Sequence, residues 1–219
     1  AGKGHNGDDV RAMINNLPNR DVTLIEVIDP KKSLVKLLIN LSAKPKLLID
    51  GLFGIGINRV LDDGWIDFIS EINSQQLRVL SVDIPSGINA TTGKVQGAAI
   101  RADETLTLGV PKIGLLNSES TDYVGRLRVA PEIGLVNLNE TSNLQLNEVE
   151  DFSNFPPPRS VNGHKGTFGH IGIVGGSLGY HGAAVLAARA ASRSQPGLVT
   201  LMTPEEVFVP VASQLQSVM

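Results

Sequence analysis

Two carboxylates close apolar runs. Lys46-Leu47-Leu48-Ile49-Asp50 and Arg78-Val79-Leu80-Ser81-Val82-Asp83 both read as strands that end on an acid. A carboxylate at a strand end, within hydrogen-bond reach of a ligand, can give and take protons as a general acid–base. After Asp50 comes Gly51-Leu52-Phe53-Gly54-Ile55-Gly56-Ile57-Asn58-Arg59. Its glycines let the backbone approach a ligand closely, and Arg59 can fork onto a phosphate. A surface loop with a solvated arginine has the same composition. After Asp83 comes Ile84-Pro85-Ser86-Gly87-Ile88-Asn89. Together Asn6, Asp50 and Ser86 offer amide, carboxylate and hydroxyl oxygens, a set suited to a hard cation. On the residues alone, Ser86 reads better as a turn serine bonding its own backbone.

Two glycine-rich stretches have the makings of phosphate cradles. Gly2-Lys3-Gly4-His5-Asn6-Gly7-Asp8-Asp9 leads into a helix expected over Val10 to Leu17. Such a loop exposes backbone N–H groups, and a helix N-terminus favours anions. An ordinary turn with an aspartate cap explains the stretch equally well. Gly175-Gly176-Ser177-Leu178-Gly179-Tyr180-His181-Gly182-Ala183-Ala184 joins an apolar strand to an alanine-rich helix. It suits a pyrophosphate without being the dinucleotide fingerprint G-x-G-x-x-G. The histidines at 5, 164, 170 and 181 show no metal spacing.

These residues need a scaffold, and the apolar periodicity supplies one. Val22 to Ile28 reads as a strand. Ser33 to Leu41 reads as a helix with Leu34, Leu37, Leu38 and Leu41 on one face, and Trp65 to Ile72 has helical spacing. Glu104 to Leu108 and Arg126 to Val129 add two more strands. Short, continuous Leu/Ile/Val strands alternating with helices are the pattern of a parallel α/β sheet covered on both faces. Ligands bind beyond the carboxyl ends of such strands, where Asp50 and Asp83 lie. Asn137 to Ser160 is polar, ends in Phe155-Pro156-Pro157-Pro158-Arg159, and reads as a linker. Beyond it, Ile171 to Val174, Ala183 to Ser192 and Leu198 to Met202 form strand, helix and strand, a βαβ piece too small to close a core of its own.

Composition narrows the function classes. Of 219 residues, 42% are hydrophobic and 19% charged, the balance of a folded protein with a sizeable core. The net charge of −3 argues against non-specific binding to nucleic acid or to an anionic membrane. The absence of cysteine excludes a disulfide framework and a thiolate metal site, and suits a cytoplasmic location. No apolar run approaches the ~18–20 residues of a membrane span. The opening Ala1-Gly2-Lys3-Gly4 has no leader character and suggests a start partway through a domain.

Taken in order, these motifs resemble the bifunctional NAD(P)H-hydrate repair enzymes. That family fuses an NAD(P)HX epimerase domain to an ADP- or ATP-dependent NAD(P)HX dehydratase of ribokinase-like fold. The strand-end pair Asp50-Gly51-Leu52-Phe53-Gly54 and Asp83-Ile84-Pro85-Ser86-Gly87 carries the first half of the resemblance. His164-Lys165-Gly166 and Gly175 to Arg193 carry the second. The resemblance implies a Rossmann-like three-layer parallel sheet in residues 1–136, lacking its beginning. It implies a linker over 137–160 and the incomplete start of a ribokinase-like α/β domain over 161–219. It further implies that His5, Asn6, Gly7, Asp8 and Asp9, with Gly54, Ile55, Gly56, Ile57, Asn58, Arg59 and Val60, line the NAD(P)HX site. Asp83 would face the hydrated nicotinamide as catalytic residue, and Ala183 would contact NAD(P)HX in the dehydratase part. Asn6, Asp50 and Ser86 would hold K+. The expected partner is the small molecule NADHX or NADPHX, with no nucleic acid and no membrane; a homo-oligomer stays open. The late glycine-rich loop of the family's dehydratase has no counterpart, so no dehydration is expected from this chain alone.

The chain departs from the family's Gly-x-Gly-Asn-Asn-Gly-Gly-Asp-Gly pattern at His5, Asp8 and Val10. Asp8 is expected to place a carboxylate in a loop meant for phosphates and to strain a backbone suited to glycine. Gln195 also stands where the dehydratase usually has glycine. Two other functions compete with epimerisation. The C-terminal piece suggests a ribokinase-like small-molecule kinase, which phosphoryl transfer to an alcohol would reveal. Asp8 suggests a non-catalytic nucleotide-binding module, which an Asp8→Gly reversion without gain of activity would favour.

Overall fold

Asp29 and Asp62 each start a helix. The Lys32 amide donates to Asp29 Oδ1 at 3.3 Å and the Trp65 amide to Asp62 Oδ1 at 3.2 Å. These caps satisfy first-turn donors that have no partner within the helix. Pro30, with no N–H to lose, opens the first of the two. In the computed structural model, which describes residues 1–134 and 142–219, they become α2 (Pro30–Ser42) and α3 (Asp63–Ser74). An earlier helix, α1, spans His5–Asn15. It begins five residues before the expected Val10, because Gly4 opens it and Asp8 adds negative charge at the positive end of the helix dipole. Pro18 disfavours helical backbone at Leu17, so the helix ends early as well.

The chain divides into two units, Ala1–Asn143 and Leu144–Met219. In the first, β1 (Leu48–Asp50), β2 (Val79–Val82), β3 (Glu104–Leu108) and β4 (Arg126–Ala130) form a parallel sheet in sequence order. Asp50 lies in register with Ser81, and Leu106 with Val82. The loops after these strands therefore open on one edge. Leu37 and Leu41 of α2 and Phe68, Ile69 and Ile72 of α3 pack with Val79 into one buried cluster. Ile84, Ile88, Ala99, Leu115 and Val124 make another, Val124 closing the short helix α4 (Thr121–Val124).

Val22–Ile28 is not a strand, although its residue types favour one. It is extended and bonds to Ala1. Ala1 donates to Ile25 O and accepts from Val27 N, both at 2.9 Å. On the other side, Gly2 N donates to Gly51 O at 2.9 Å. The lateral order is thus 22–28, Ala1–Gly2, β1, β2, β3, β4.

In the second unit, parallel strands β5 (His170–Val174) and β6 (Leu198–Met202) flank α5 (His181–Arg193), followed by α6 (Phe208–Ala212). Val185, Val207 and Val211 form its small core. Of the expected linker, residues 137–141 lie outside the described residues. Its last part belongs to this second unit, where the Arg159 guanidinium stacks 4.4 Å from the Phe168 ring and donates to Gln195 O at 2.6 Å. Among the described residues no helix is long and apolar enough to cross a membrane.

Candidate active site

Chain order and lateral order reverse between Ala1–Gly2 and β1. One connection leaves Gly2 for the 22–28 side and the next returns across it to β1. In open parallel sheets this reversal leaves a crevice at the carboxyl edge, the usual ligand position. Here it lies between residues 2–9 and 51–60. Its walls approach as closely as backbone allows. A Cβ on Gly2 would sit 1.9 Å from Leu52 O across them, and within the first wall one on Gly7 would sit 2.1 Å from Gly2 O. Asn6 is buried and donates from Nδ2 to Phe53 O at 2.6 Å. Its Oδ1 is buried with no hydrogen-bond partner. No side chain caps α1.

Asp50 and Ser86 meet beside Phe53, the residue that Asn6 also bonds. Asp50 is 2% exposed and Ser86 fully buried. Ser86 Oγ donates to Asp50 Oδ1 at 2.6 Å, and Ser86 N and Ser81 Oγ donate to Oδ2 at 2.9 Å each. Leu52 N donates to Oδ1 at 3.1 Å, and Phe53 N to Ser86 Oγ at 2.9 Å. Four hydrogen bonds therefore hold a buried carboxylate, and among the described residues no side-chain cation pairs with it. The turn reading of Ser86 is too small: its hydroxyl links β1 to the loop after β2, 36 residues apart.

One residue beyond β2, Asp83 has φ +66°, a left-handed conformation uncommon outside glycine. Its Oδ1 accepts from Leu108 N at 3.1 Å and forms an ion pair with Lys112 Nζ. Lys112 was not among the expected site residues. The available signal was Gly109-Val110-Pro111-Lys112, a charged turn directly after the third strand of the same edge.

Asp8 does not strain its loop. It lies within α1, not in a left-handed turn. Its carboxylate accepts from Arg11 Nη1 at 2.9 Å, and His5 Nδ1 is 3.7 Å away. Arg11 also bonds Glu26 at 3.0 Å and Gly2 O at 2.8 Å, which ties the glycine stretch down. His5 and Asp9 are exposed. Partial burial pushes the Asp9 carboxyl above its ordinary range, the Asp83 and Asp8 carboxylates add to this, and His5 opposes it. Across the crevice Gly54 and Ile57 are half-buried, and Ile55, Gly56, Asn58, Arg59 and Val60 are exposed. The loop is anchored where Asn89 Nδ2 donates to Ile57 O at 3.1 Å. In the second unit, Ala183 is exposed in the first turn of α5, after a glycine turn with φ +97° at Gly176 and +80° at Gly179. Among the described residues no three His, Cys, Asp or Glu side chains converge as for a transition metal.

A protein-family model described as YjeF-related protein N-terminus matches residues 1–114. The chain belongs to this family. A second model, NAD(P)H-hydrate dehydratase, matches residues 171–219. Asn6, Asp50, Asp83, Ser86 and Lys112 all fall within the YjeF-related match, and Ala183 within the dehydratase match. The chain is similar to the bifunctional NAD(P)H-hydrate repair enzyme Nnr of Dictyoglomus turgidum, at 35% identity over 94% of this chain and 45% of that protein. It is 36% identical to the enzyme of that name from Coxiella burnetii, over 78% of this chain and 35% of the relative. With that of Escherichia coli the figures are 34%, 75% and 32%. The chain thus spans less than half the length of these curated relatives.

Proposed function

We propose that residues 1–134 bind NAD(P)HX in the crevice between residues 2–9 and 51–60 and interconvert its (6R) and (6S) epimers at Asp83. One observation carries this reading. At the sheet edge beside the switch point stands a carboxylate in a left-handed backbone, ion-paired through one oxygen, the other having no hydrogen bond among the described residues. The YjeF-related match and the names of the relatives support it.

Inversion at the hydrated carbon moves a proton on and off the substrate oxygen, either as the hydroxyl departs and returns or as the ring opens and recloses. Asp83 serves as the group that takes and returns that proton. His5, Asn6, Gly7, Asp8 and Asp9 form one wall. Gly54, Ile55, Gly56, Ile57, Asn58, Arg59 and Val60 form the other, with Arg59 available to a phosphate. The bonding of Asp8 to Arg11 supports catalysis over a merely binding role. Ala183 and its glycine turn belong, in this reading, to the dehydratase part, whose co-substrate would be ADP or ATP.

The residues present fit a potassium ion. Asn6 Oδ1 is an orphaned buried acceptor, Asp50 is a buried charge without a side-chain counter-ion, and Ser86 Oγ adjoins both Asp50 and the Phe53 carbonyl. Asn6, Asp50 and Ser86 would hold the ion, which would supply positive charge to the buried carboxylate and hold the two crevice walls together.

The test is epimer interconversion of purified NADPHX, followed by chromatography with K+ present against a no-protein control. Acceleration is expected. A folded sample that leaves the spontaneous rate unchanged overturns the reading.

A further inference from the structure

Lys112 has three N–H donors and three acceptors. Its Nζ bonds Asp83 Oδ1, Thr107 Oγ1 at 3.2 Å and Leu108 O at 2.7 Å. The Lys112 and Asp83 side chains are 17% and 14% exposed, and Thr107 is fully buried. No ammonium proton is left to point at a ligand. Asp83 Oδ1 accepts a second bond from Leu108 N, while Oδ2 has no hydrogen bond among the described residues. The charged groups facing Asp83 are Lys112, from the loop after β3, and Asp9, from α1.

We infer that Lys112 is a positioning residue that holds Asp83 as a carboxylate with Oδ2 as its reactive atom, and that inversion at this site therefore runs by ring opening. This rests on the epimerase reading above. Two routes make different demands on Asp83. Departure of the hydroxyl as water needs a proton donor at the start. An ion-paired carboxylate is instead a proton acceptor. In the ring-opening route Oδ2 takes the proton of the substrate hydroxyl and the carbon–oxygen bond becomes a carbonyl. The carbon–nitrogen bond breaks, and its electron pair passes to the ring nitrogen and the carboxamide conjugated with it. Rotation about the adjacent carbon–carbon bond presents the opposite face. The nitrogen re-adds, and Oδ2 returns the proton to oxygen. Nothing is oxidised or reduced, and Asp83 ends as it began.

Two measurements test this on the full chain. In water enriched in oxygen-18, mass spectrometry of the inverted epimer should show the original oxygen retained, after subtraction of spontaneous exchange. One solvent oxygen incorporated per inversion overturns the ring-opening assignment. Replacing Lys112 by Met should lower kcat by about 10²-fold while KM stays within about threefold. The chain has no cysteine, so Lys112→Cys places a single thiol that bromoethylamine converts into a lysine isostere. Aminoethylation should restore most of kcat and ethylation should not, an outcome that a purely structural role for the side chain would not produce. Full kcat in folded Lys112→Met, or equal rescue by both alkyl groups, overturns the assignment of Lys112. An inactive wild type overturns the epimerase reading and this inference together, whereas an active wild type beside fully active variants overturns this inference alone.

Discussion

Asn6 and Phe53 stand 47 residues apart and are joined by a 2.6 Å hydrogen bond from Asn6 Nδ2 to the Phe53 carbonyl. The bond closes the floor of the crevice. It also fixes the amide so that Oδ1 is buried with nothing to accept from. An unsatisfied buried acceptor costs about 1–3 kcal/mol. The Asp50 carboxylate, joined to the same Phe53 through Ser86, is 2% exposed. The potassium ion proposed above would offset both features.

Potassium should therefore stabilise the folded chain. Exchanging choline chloride for potassium chloride at constant ionic strength is expected to raise the melting temperature measured by calorimetry. Linkage sets the scale: an ion at 100 times its Kd adds about 2.7 kcal/mol. Asn6→Ala and Asp50→Asn should each remove the potassium increment while melting cooperatively. Identical melting curves in the two salts would remove the ion from this site.

Asp83→Asn keeps the size of the side chain and its ability to accept from Lys112 and Leu108, but it cannot take a proton. The epimerisation rate should fall by about 10³-fold with nucleotide binding changed only a few-fold. Titration calorimetry with a stable nucleotide analogue, beside the chromatographic rate, separates the two. An unchanged rate would remove Asp83 from the chemistry.

Gly7 tests the close packing within the 2–9 wall of the crevice. Its Cβ position lies 2.1 Å from the Gly2 carbonyl oxygen, a backbone atom that cannot swing away. Gly7→Ala should cost about 1–3 kcal/mol, as overpacking does, and should open the crevice enough to weaken nucleotide binding. Gly4→Ala is the control, because a Cβ there meets nothing within 4 Å. Equal urea midpoints for the two variants would show that the backbone contact has no energetic weight.

Strand-end logic singled out Asp50 and Asp83, because each closes a continuous apolar run; Ser86 read on its residues as a turn serine, and its bond to Asp50 depends on the pairing of β1 with β2. The bodies of α2 and α3 were legible from the helical spacing of their apolar residues, while their caps, Asp29 and Asp62, came only with the structure. What escaped depends on distant partners. Val22–Ile28 has strand-forming residues, but a ladder needs a paired neighbour, and the backbone–backbone bonds it makes among the described residues are to Ala1. The start of α1 hid behind a glycine-rich stretch in which Gly2 and Gly7 pack tightly against backbone. Lys112 reaches Asp83 from 29 residues away, across the β2–β3 register, which no local spacing reports. Gln195 shows the reverse case: the position marked by a family glycine does have φ +59°, just past the end of α5.

Asp9 gives the fold a pH dependence whose sign is set by its surroundings. Its carboxyl is raised above the ordinary 3.8, first by partial burial and then by the neighbouring carboxylates of Asp83 and Asp8. A raised acid binds its proton more tightly in the folded chain than in the unfolded one. The stability it contributes is fully present below about pH 3.8 and is lost as pH rises through the folded value. At neutral pH the ionised side chain is therefore a small burden on the fold. Asp9→Asn removes it, and the variant should be more stable than wild type at pH 7 by a few tenths of a kcal/mol, the size that solvent screening leaves to an exposed group. Near pH 3 the two proteins should unfold at the same urea concentration, because Asp9 is then protonated in both states. Urea midpoints at the two pH values check this directly. A variant equally stabilised at both would place its effect in packing, and one destabilised at pH 7 would show that the helix dipole of α1 outweighs the repulsion from Asp83.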